Sequence, residues 1–238
     1  MNNALISVVI PAYNLPEYTA KTIDSIMSQT YRPIEIVISD DNSPISLKSL
    51  VKAKKDKCDA GINIKYFRQQ INLGYYWNLQ FVLNEAVGKY LVLLDHDDWL
   101  IDPDFFSEAV KAMDGKPDCF LSICNTLPEK TPYPFLDISY ENWHYVNSGK
   151  FIKNNLFKKI HPSRSAVMMR FDKLRELDYK NYFIDHIFKY YIHQLMTDPS
   201  FSQKSNENQF VDNTLHHSTN VSKYIWQMLD LALHIRAY

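Results

Sequence analysis

Short apolar runs punctuate the N-terminal part of the chain at Leu5–Ile10, Ile34–Ser39, Ile62–Phe67 and Tyr90–Leu94. The first and last are nearly continuous, as in strands buried on both faces of a sheet. Segments of helical character separate them at Pro16–Gln29, Ser46–Lys57 and Tyr76–Val87. Strand and helix alternating at this spacing predict βαβ units around a parallel sheet, hence an α/β fold. A further helix is expected after the last run, with Asp102 as N-cap and Pro103 at its first position. Cys119–Cys124 reads as one more strand.

The strand ends carry the chemistry. The first run leads into Pro11-Ala-Tyr-Asn14, the second into Asp40-Asp-Asn-Ser43, and the fourth into Asp95-His-Asp-Asp98. Open α/β sheets bind ligands outside the carboxyl ends of their strands, so Asn14, Asp40, Asp41, Asp95 and Asp97 are predicted to share one edge. Converging carboxylates repel one another unless a cation intervenes, and their hard oxygens suit Mg²⁺ or Mn²⁺. Taken alone, Asp95–Asp98 also reads as a solvated acidic turn. Three such turns in succession read as a nucleotide site.

The ordered set Ser7-Val-Val-Ile-Pro-Ala-Tyr-Asn14, Ile36-Val-Ile-Ser-Asp-Asp-Asn-Ser43, Asn72-Leu-Gly74 and Ala86-Val-Gly-Lys-Tyr-Leu-Val-Leu-Leu-Asp-His-Asp-Asp98 resembles the inverting glycosyltransferases of family 2. The resemblance implies a GT-A fold: a Rossmann-like, mostly parallel central sheet with helices on both faces and a C-terminal acceptor-binding subregion. It implies a nucleotide-sugar-binding half at 1–115 and an acceptor-binding half with C-terminal helices at 116–238. Pro11, Ala12, Tyr13, Asn14, Asp40, Asn72, Gly74, Asp95 and His96 would line the nucleotide-sugar site, with Asp40 accepting a hydrogen bond from uracil. Asp97, Asp95 and His217 would hold Mn²⁺ or Mg²⁺, and Asp185 would be the catalytic base. The implied reaction moves a hexosyl or N-acetylhexosaminyl group from a UDP-sugar to a saccharide or lipid-linked saccharide, in surface polysaccharide or glycolipid synthesis.

The chain also departs from the family. Ile184 stands where a Glu precedes the base, and Trp77 and Leu215 stand at positions that often carry Arg. Either the metal supplies more of that positive charge, or Arg68, Arg164 or Lys223 substitutes. Asp185 at a helix start also reads as a cap, and His217 as a surface histidine.

Other strand-end chemistries fit less well. A dinucleotide-binding domain needs a Gly-rich first turn, whereas Pro11–Asn14 has no glycine. Haloacid-dehalogenase-type phosphatases place their Asp-x-Asp on the first strand. Sugar-nucleotide pyrophosphorylases open with a Gly-rich, Arg-containing loop. Two rival classes remain: a nucleotidyltransferase on a similar sheet, and a non-catalytic protein that binds a sugar nucleotide.

Composition narrows the picture further. At 238 residues, 46% hydrophobic, the chain can build one substantial α/β core. A net charge of −1 and a pI near 6.7 argue against a nucleic-acid partner. A strand close to the N-terminus and no apolar run of membrane-spanning length predict a cytoplasmic enzyme, with weak contact at the inner membrane face where a lipid-linked acceptor would lie. Cys58, Cys119 and Cys124 read as thiols. Gly88 reads as a helix C-cap.

The second half offers fewer signals. Pro128–Tyr145 is an aromatic-rich loop that either packs on itself or stacks on an acceptor sugar. His161–Arg170 resembles the family's small-residue segment that precedes a strand near the donor sugar. In Lys223–Tyr238, Ile225, Met228, Leu229, Ala232 and Ile235 form a helical apolar stripe. That helix is expected to dock on the catalytic domain, peripheral membrane attachment being the alternative.

Overall fold

The computed structural model describes residues 3–124, 165 and 167–176. Its strands are β1 (Ile6–Ala12), β2 (Ile34–Asp40), β3 (Ile62–Arg68), β4 (Tyr90–Leu93), β5 (Leu121–Ile123) and β6 (Val167–Arg170). The helices are α1 (Pro16–Met27), α2 (Lys48–Lys55), α3 (Tyr75–Glu85), α4 (Phe105–Asp114) and α5 (Phe171–Glu176). The chain divides into two compact units, Met1–Asp172 and Lys173–Tyr238, and the whole sheet belongs to the first.

The six strands run in the order β3-β2-β1-β4-β6-β5. β3, β2, β1 and β4 are parallel, while β6 is antiparallel to both β4 and β5. Every residue of β1, β2 and β4 is buried, which explains their near-continuous apolar runs. β3 is an edge strand, and its burial is correspondingly partial.

α1 and α2 lie along one face of the sheet and α3 along the other. Adjacent side chains of β3 reveal the two faces. The Tyr66 hydroxyl lies 3.4 Å from Ser46 Oγ beside α2, whereas Phe67 meets Phe81 of α3 edge-on at 5.1 Å. The main core lies on the α1–α2–α4 side, where Ile6, Val8, Ile10, Ile36 and Val92 pack with Ile23, Leu47 and Phe106. Burying each such side chain contributes about 1.5–3 kcal/mol.

Three sequence expectations change. α4 begins at Phe105, not after an Asp102 cap, because Asp102 Oδ1 instead accepts the Asp104 N–H in a tight turn at 2.9 Å. The capping acceptor comes from the buried Gln29, whose Oε1 takes the Phe106 N–H at 3.1 Å. α3 ends at Glu85 in extended backbone at Ala86, so Gly88 is not its C-cap. A Cβ at Gly88 would lie 2.6 Å from Ser7 Oγ and 2.8 Å from Leu5 O; glycine is there to let the α3–β4 link approach β1. β6 lies within the segment 161–170 and covers the far side of β4.

Candidate active site

Strand order reverses between β1 and β4, because β1 leads to β2 on one side while β4 lies on the other. Such a switch point opens a crevice at the carboxyl ends of the strands. The turns after β1, β2 and β4 all arrive there, joined by the loop before α3.

The tips of β1 and β2 are fastened to each other. The Asp41 N–H donates to Ala12 O at 2.8 Å, and the Asn14 N–H donates to Ser43 Oγ at 2.9 Å. Pro11 and Ala12 are buried, whereas Tyr13 is 39% exposed beside them. Asn14, Leu15 and Asn42 have φ of 59°, 52° and 58°, left-handed backbone that residues with side chains adopt at a cost. Strain of this kind collects at functional sites.

Asp40 is fully buried and takes four donors: the N–H groups of Ser43 (2.8 Å) and Leu47 (3.1 Å), the Tyr66 hydroxyl (2.8 Å) and Arg68 Nη1 (2.7 Å). Burial by itself would raise this carboxyl, but the donations led by Ser43 and Tyr66 hold it below the ordinary Asp range. A uracil N–H reaching Asp40 would therefore join donors already in place. Arg68, one substitute for the family's missing positive charge, is committed to this carboxylate and to the turn beyond it.

Asp41 plays a different part. Its two oxygens accept the Leu73 N–H (2.7 Å) and the Gly74 N–H (2.9 Å), fixing the loop that opens α3. Burial raises its carboxyl despite those two bonds, and the neighbouring Asp40 adds to the rise. Asn72 Oδ1 also accepts the Gly74 N–H, at 3.0 Å. Gly74 has φ of 78° and open space where a Cβ would stand, so its backbone needs glycine and leaves room above the turn.

The carboxylates after β4 are graded in exposure. Asp95 is half-buried, with Oδ1 accepting the Tyr75 hydroxyl at 3.2 Å, while Asp97 is exposed. Asp98 accepts the hydroxyl of buried Ser165, whose Oγ also receives the Asp95 N–H at 3.3 Å. Thr22 Oγ1 of α1 lies 2.9 Å from His96 O and 2.7 Å from Asp98 O, holding the turn from below. His96 Nε2 is buried without a hydrogen-bond partner among the described residues. An orphan of this sort costs about 1–3 kcal/mol, which a bound polar group would offset.

Among the described residues no three His, Cys, Asp or Glu side chains gather to hold a metal ion by themselves. Asp95 and Asp97 alone are a hard oxygen pair, the donor set of cations that complete their shell with water and substrate phosphate. The structure thus brings Pro11–Asn14, Asp40, Asn72, Gly74 and Asp95–Asp97 to one sheet edge. Ser165, Thr22 and Tyr75 join them unforeseen, because nothing local in the sequence marks a buried hydroxyl as a neighbour of a distant carboxylate. Asp185, His217, the Pro128–Tyr145 loop and the C-terminal stripe lie outside the described residues. No helix among the described residues is long and apolar enough to cross a membrane.

Comparison with known proteins agrees with this geometry. An uncharacterized glycosyltransferase of Rickettsia bellii is 30% identical over 161 residues, 67% of this chain but 21% of that protein. A Campylobacter jejuni GalNAc(5)-diNAcBac-PP-undecaprenol beta-1,3-glucosyltransferase is 34% identical over 116 residues, 48% of this chain and 37% of its own. The chain therefore spans well under half the length of these curated relatives. Among solved structures, the Pyrobaculum calidifontis mannosyltransferase PcManGT, in complex with GDP-Man and Mn²⁺, superposes with a TM-score of 0.54 at 18% identity. That match covers 74% of this chain and 47% of that one. S. aureus TarS 1-349 in complex with UDP-GlcNAc does so with a TM-score of 0.54 at 19% identity, over 73% of this chain and 47% of that one. These neighbours show the shared GT-A fold. The family described as Glycosyl transferase family 2 matches residues 7–178, the span holding the sheet and every strand-end turn, and the chain belongs to that family.

Proposed function

We propose that the protein is a metal-assisted, inverting glycosyltransferase that moves a sugar from a nucleotide-diphospho sugar, UDP-linked, to an acceptor hydroxyl. The observation carrying this reading is the meeting of Ala12–Asn14, Asp40–Ser43, Asn72–Gly74 and Asp95–Asp97 at the β1/β4 switch point. UDP-GlcNAc in TarS and GDP-Man with Mn²⁺ in PcManGT support a nucleotide sugar as donor and a divalent cation beside it. The undecaprenol-linked substrate in the Campylobacter relative's name supports a lipid-linked saccharide as acceptor, in surface polysaccharide or glycolipid synthesis at a membrane face.

In this reading Pro11–Asn14, Asp40, Asn72 and Gly74 frame the nucleoside, and Asp95 and His96 face the ribose and diphosphate. Asp97 and Asp95, with His217, would hold Mn²⁺ or Mg²⁺. Bound there, the ion would stabilise negative charge on the leaving diphosphate. Asp185 accepts the proton of the acceptor hydroxyl as its oxygen bonds to the anomeric carbon. The bond from that carbon to the diphosphate breaks on the opposite face, inverting the centre and releasing nucleoside diphosphate.

The test is product analysis with a panel of sugar nucleotides and saccharide acceptors in Mn²⁺. Acceptor-dependent release of UDP is the expected result. Turnover of nucleoside triphosphate would instead indicate a nucleotidyltransferase, and tight donor binding without release would indicate a binding protein.

A further inference from the structure

Ala12, Asp40 and Arg68 are level with one another across β1, β2 and β3. From this position Arg68 reaches three acceptors within one turn: Asp40 Oδ2 at 2.7 Å, Asn42 Oδ1 at 3.1 Å and Ser43 O at 2.8 Å. We propose that Arg68 is a positioning residue for the nucleoside end of the site, clamping the Asp40–Ser43 turn and, through Ser43, setting the backbone at Asn14. This inference rests on the nucleotide-sugar reading for its consequence, but its geometry stands apart from it.

The turn needs a clamp. Asn42 sits at φ 58°, a region few residues besides Gly and Asn adopt readily, and on the facing turn Asn14 and the more strained Leu15 share it. Among the described residues β3 is the sheet edge, with no further strand pressing the turn into place. An open cleft of about 600 Å³ borders the end of β3, walled by Phe67, Arg68, Gln69, Leu73 and Phe81 among others. Ser43 is gripped at every polar atom: its N–H by Asp40, its carbonyl by Arg68, and its hydroxyl oxygen by the Asn14 N–H. Movement of the guanidinium is thus passed through one residue to the β1 tip.

A guanidinium suits this task because its fixed fork can serve several acceptors at once. A lysine ammonium in the same place would keep the charge and lose the fork. Arg68 itself is not part of the apolar core cluster, and Asp40 keeps three other donors without it, so losing it should loosen the turn more than the fold.

The experiment compares wild type, Arg68→Met and Arg68→Lys by hydrogen exchange of the free protein, together with calorimetric binding of UDP, GDP, CDP and dTDP in Mn²⁺. In Arg68→Met, exchange should accelerate at 41–47 and 13–15, while β1 and β4 stay protected. Affinity for the bound nucleotide should fall about tenfold, and kcat at saturating donor should stay within about twofold. Arg68→Lys should lie between Met and wild type. Unchanged exchange in those segments overturns the clamp, as does uniformly faster exchange with an early melt, which would make Arg68 a stability residue. A lysine variant identical to wild type would overturn the fork argument. If wild type binds none of the four diphosphates, the donor reading fails, and the exchange data alone decide the clamp.

Discussion

The Gly88 N–H donates to Ser7 Oγ at 2.7 Å, and no side chain fits at residue 88 without meeting Ser7 or Leu5. This contact ties the α3–β4 link to β1 and extends into a buried network. Ser7 Oγ donates in turn to Glu35, whose carboxylate also receives the Val87 N–H and pairs with Lys65 at 2.8 Å. The network lies at the opposite end of β1 from the candidate site, so it governs stability and leaves the chemistry alone.

Gly88→Ala should therefore destabilise the fold by about 1–3 kcal/mol, the usual cost of overpacking. Urea denaturation checks this, and a loss below about 0.5 kcal/mol would show that the link moves aside easily.

Glu35 predicts a pH dependence. Burial by itself raises this carboxyl, but donations from Lys65, Ser7 and the Val87 N–H outweigh it and hold the group below its ordinary 4.5. A depressed carboxyl stabilises fully above the unfolded value and loses that contribution as pH falls through the folded one. Glu35→Gln should thus be less stable than wild type at pH 7, and the gap should narrow steadily below about pH 4.5. Denaturant midpoints at pH 7, 5, 4 and 3 decide it; parallel curves would remove Glu35 as a source of acid lability.

Asp97 tests the cation. Being exposed, Asp97→Asn should change stability by less than about 0.5 kcal/mol. Transferase activity should fall by roughly 10²-fold or more, and excess chelator should abolish it in wild type. Full turnover in EDTA would reject the cation assignment.

Asp185→Asn should lower kcat by about 10²–10⁴-fold with donor affinity near wild type, because a general base acts in the transition state. Retention of more than about a tenth of kcat would make Asp185 a helix cap and send the search to another carboxylate.

Much of the fold could be read from the sequence because the relevant signals are local. β1, β2 and β4 announce themselves as apolar runs, and each ends in the polar turn that the site uses. The placement of β6 against β4 could not be read, since the two pair antiparallel across a gap of more than 70 residues with no short connection. α4 misled for a related reason: Asp102 and Pro103 form a sound local start signal, yet Gln29, just beyond the end of α1, takes the capping role. Within the site, residue types were legible and partners were not. Asp40 looks like a ligand-binding carboxylate from its strand-end position. Only the cross-strand register reveals that Arg68 stands opposite it, with the Tyr66 hydroxyl reaching it from two residues earlier on β3.

Asn14, Leu15 and Asn42 hold left-handed backbone without help from glycine, Leu15 at a cost of about 1–2 kcal/mol and the two asparagines at less, since Asn tolerates this region. For an engineer wishing to change donor preference, this makes the tips of β1 and β2 poor places to graft loops from relatives. A transplanted turn would have to reproduce three disfavoured dihedrals together with the hydrogen bonds that enforce them. Point changes at Tyr13, which is exposed and has backbone outside the left-handed region, offer the gentler way to probe the proposed donor selectivity.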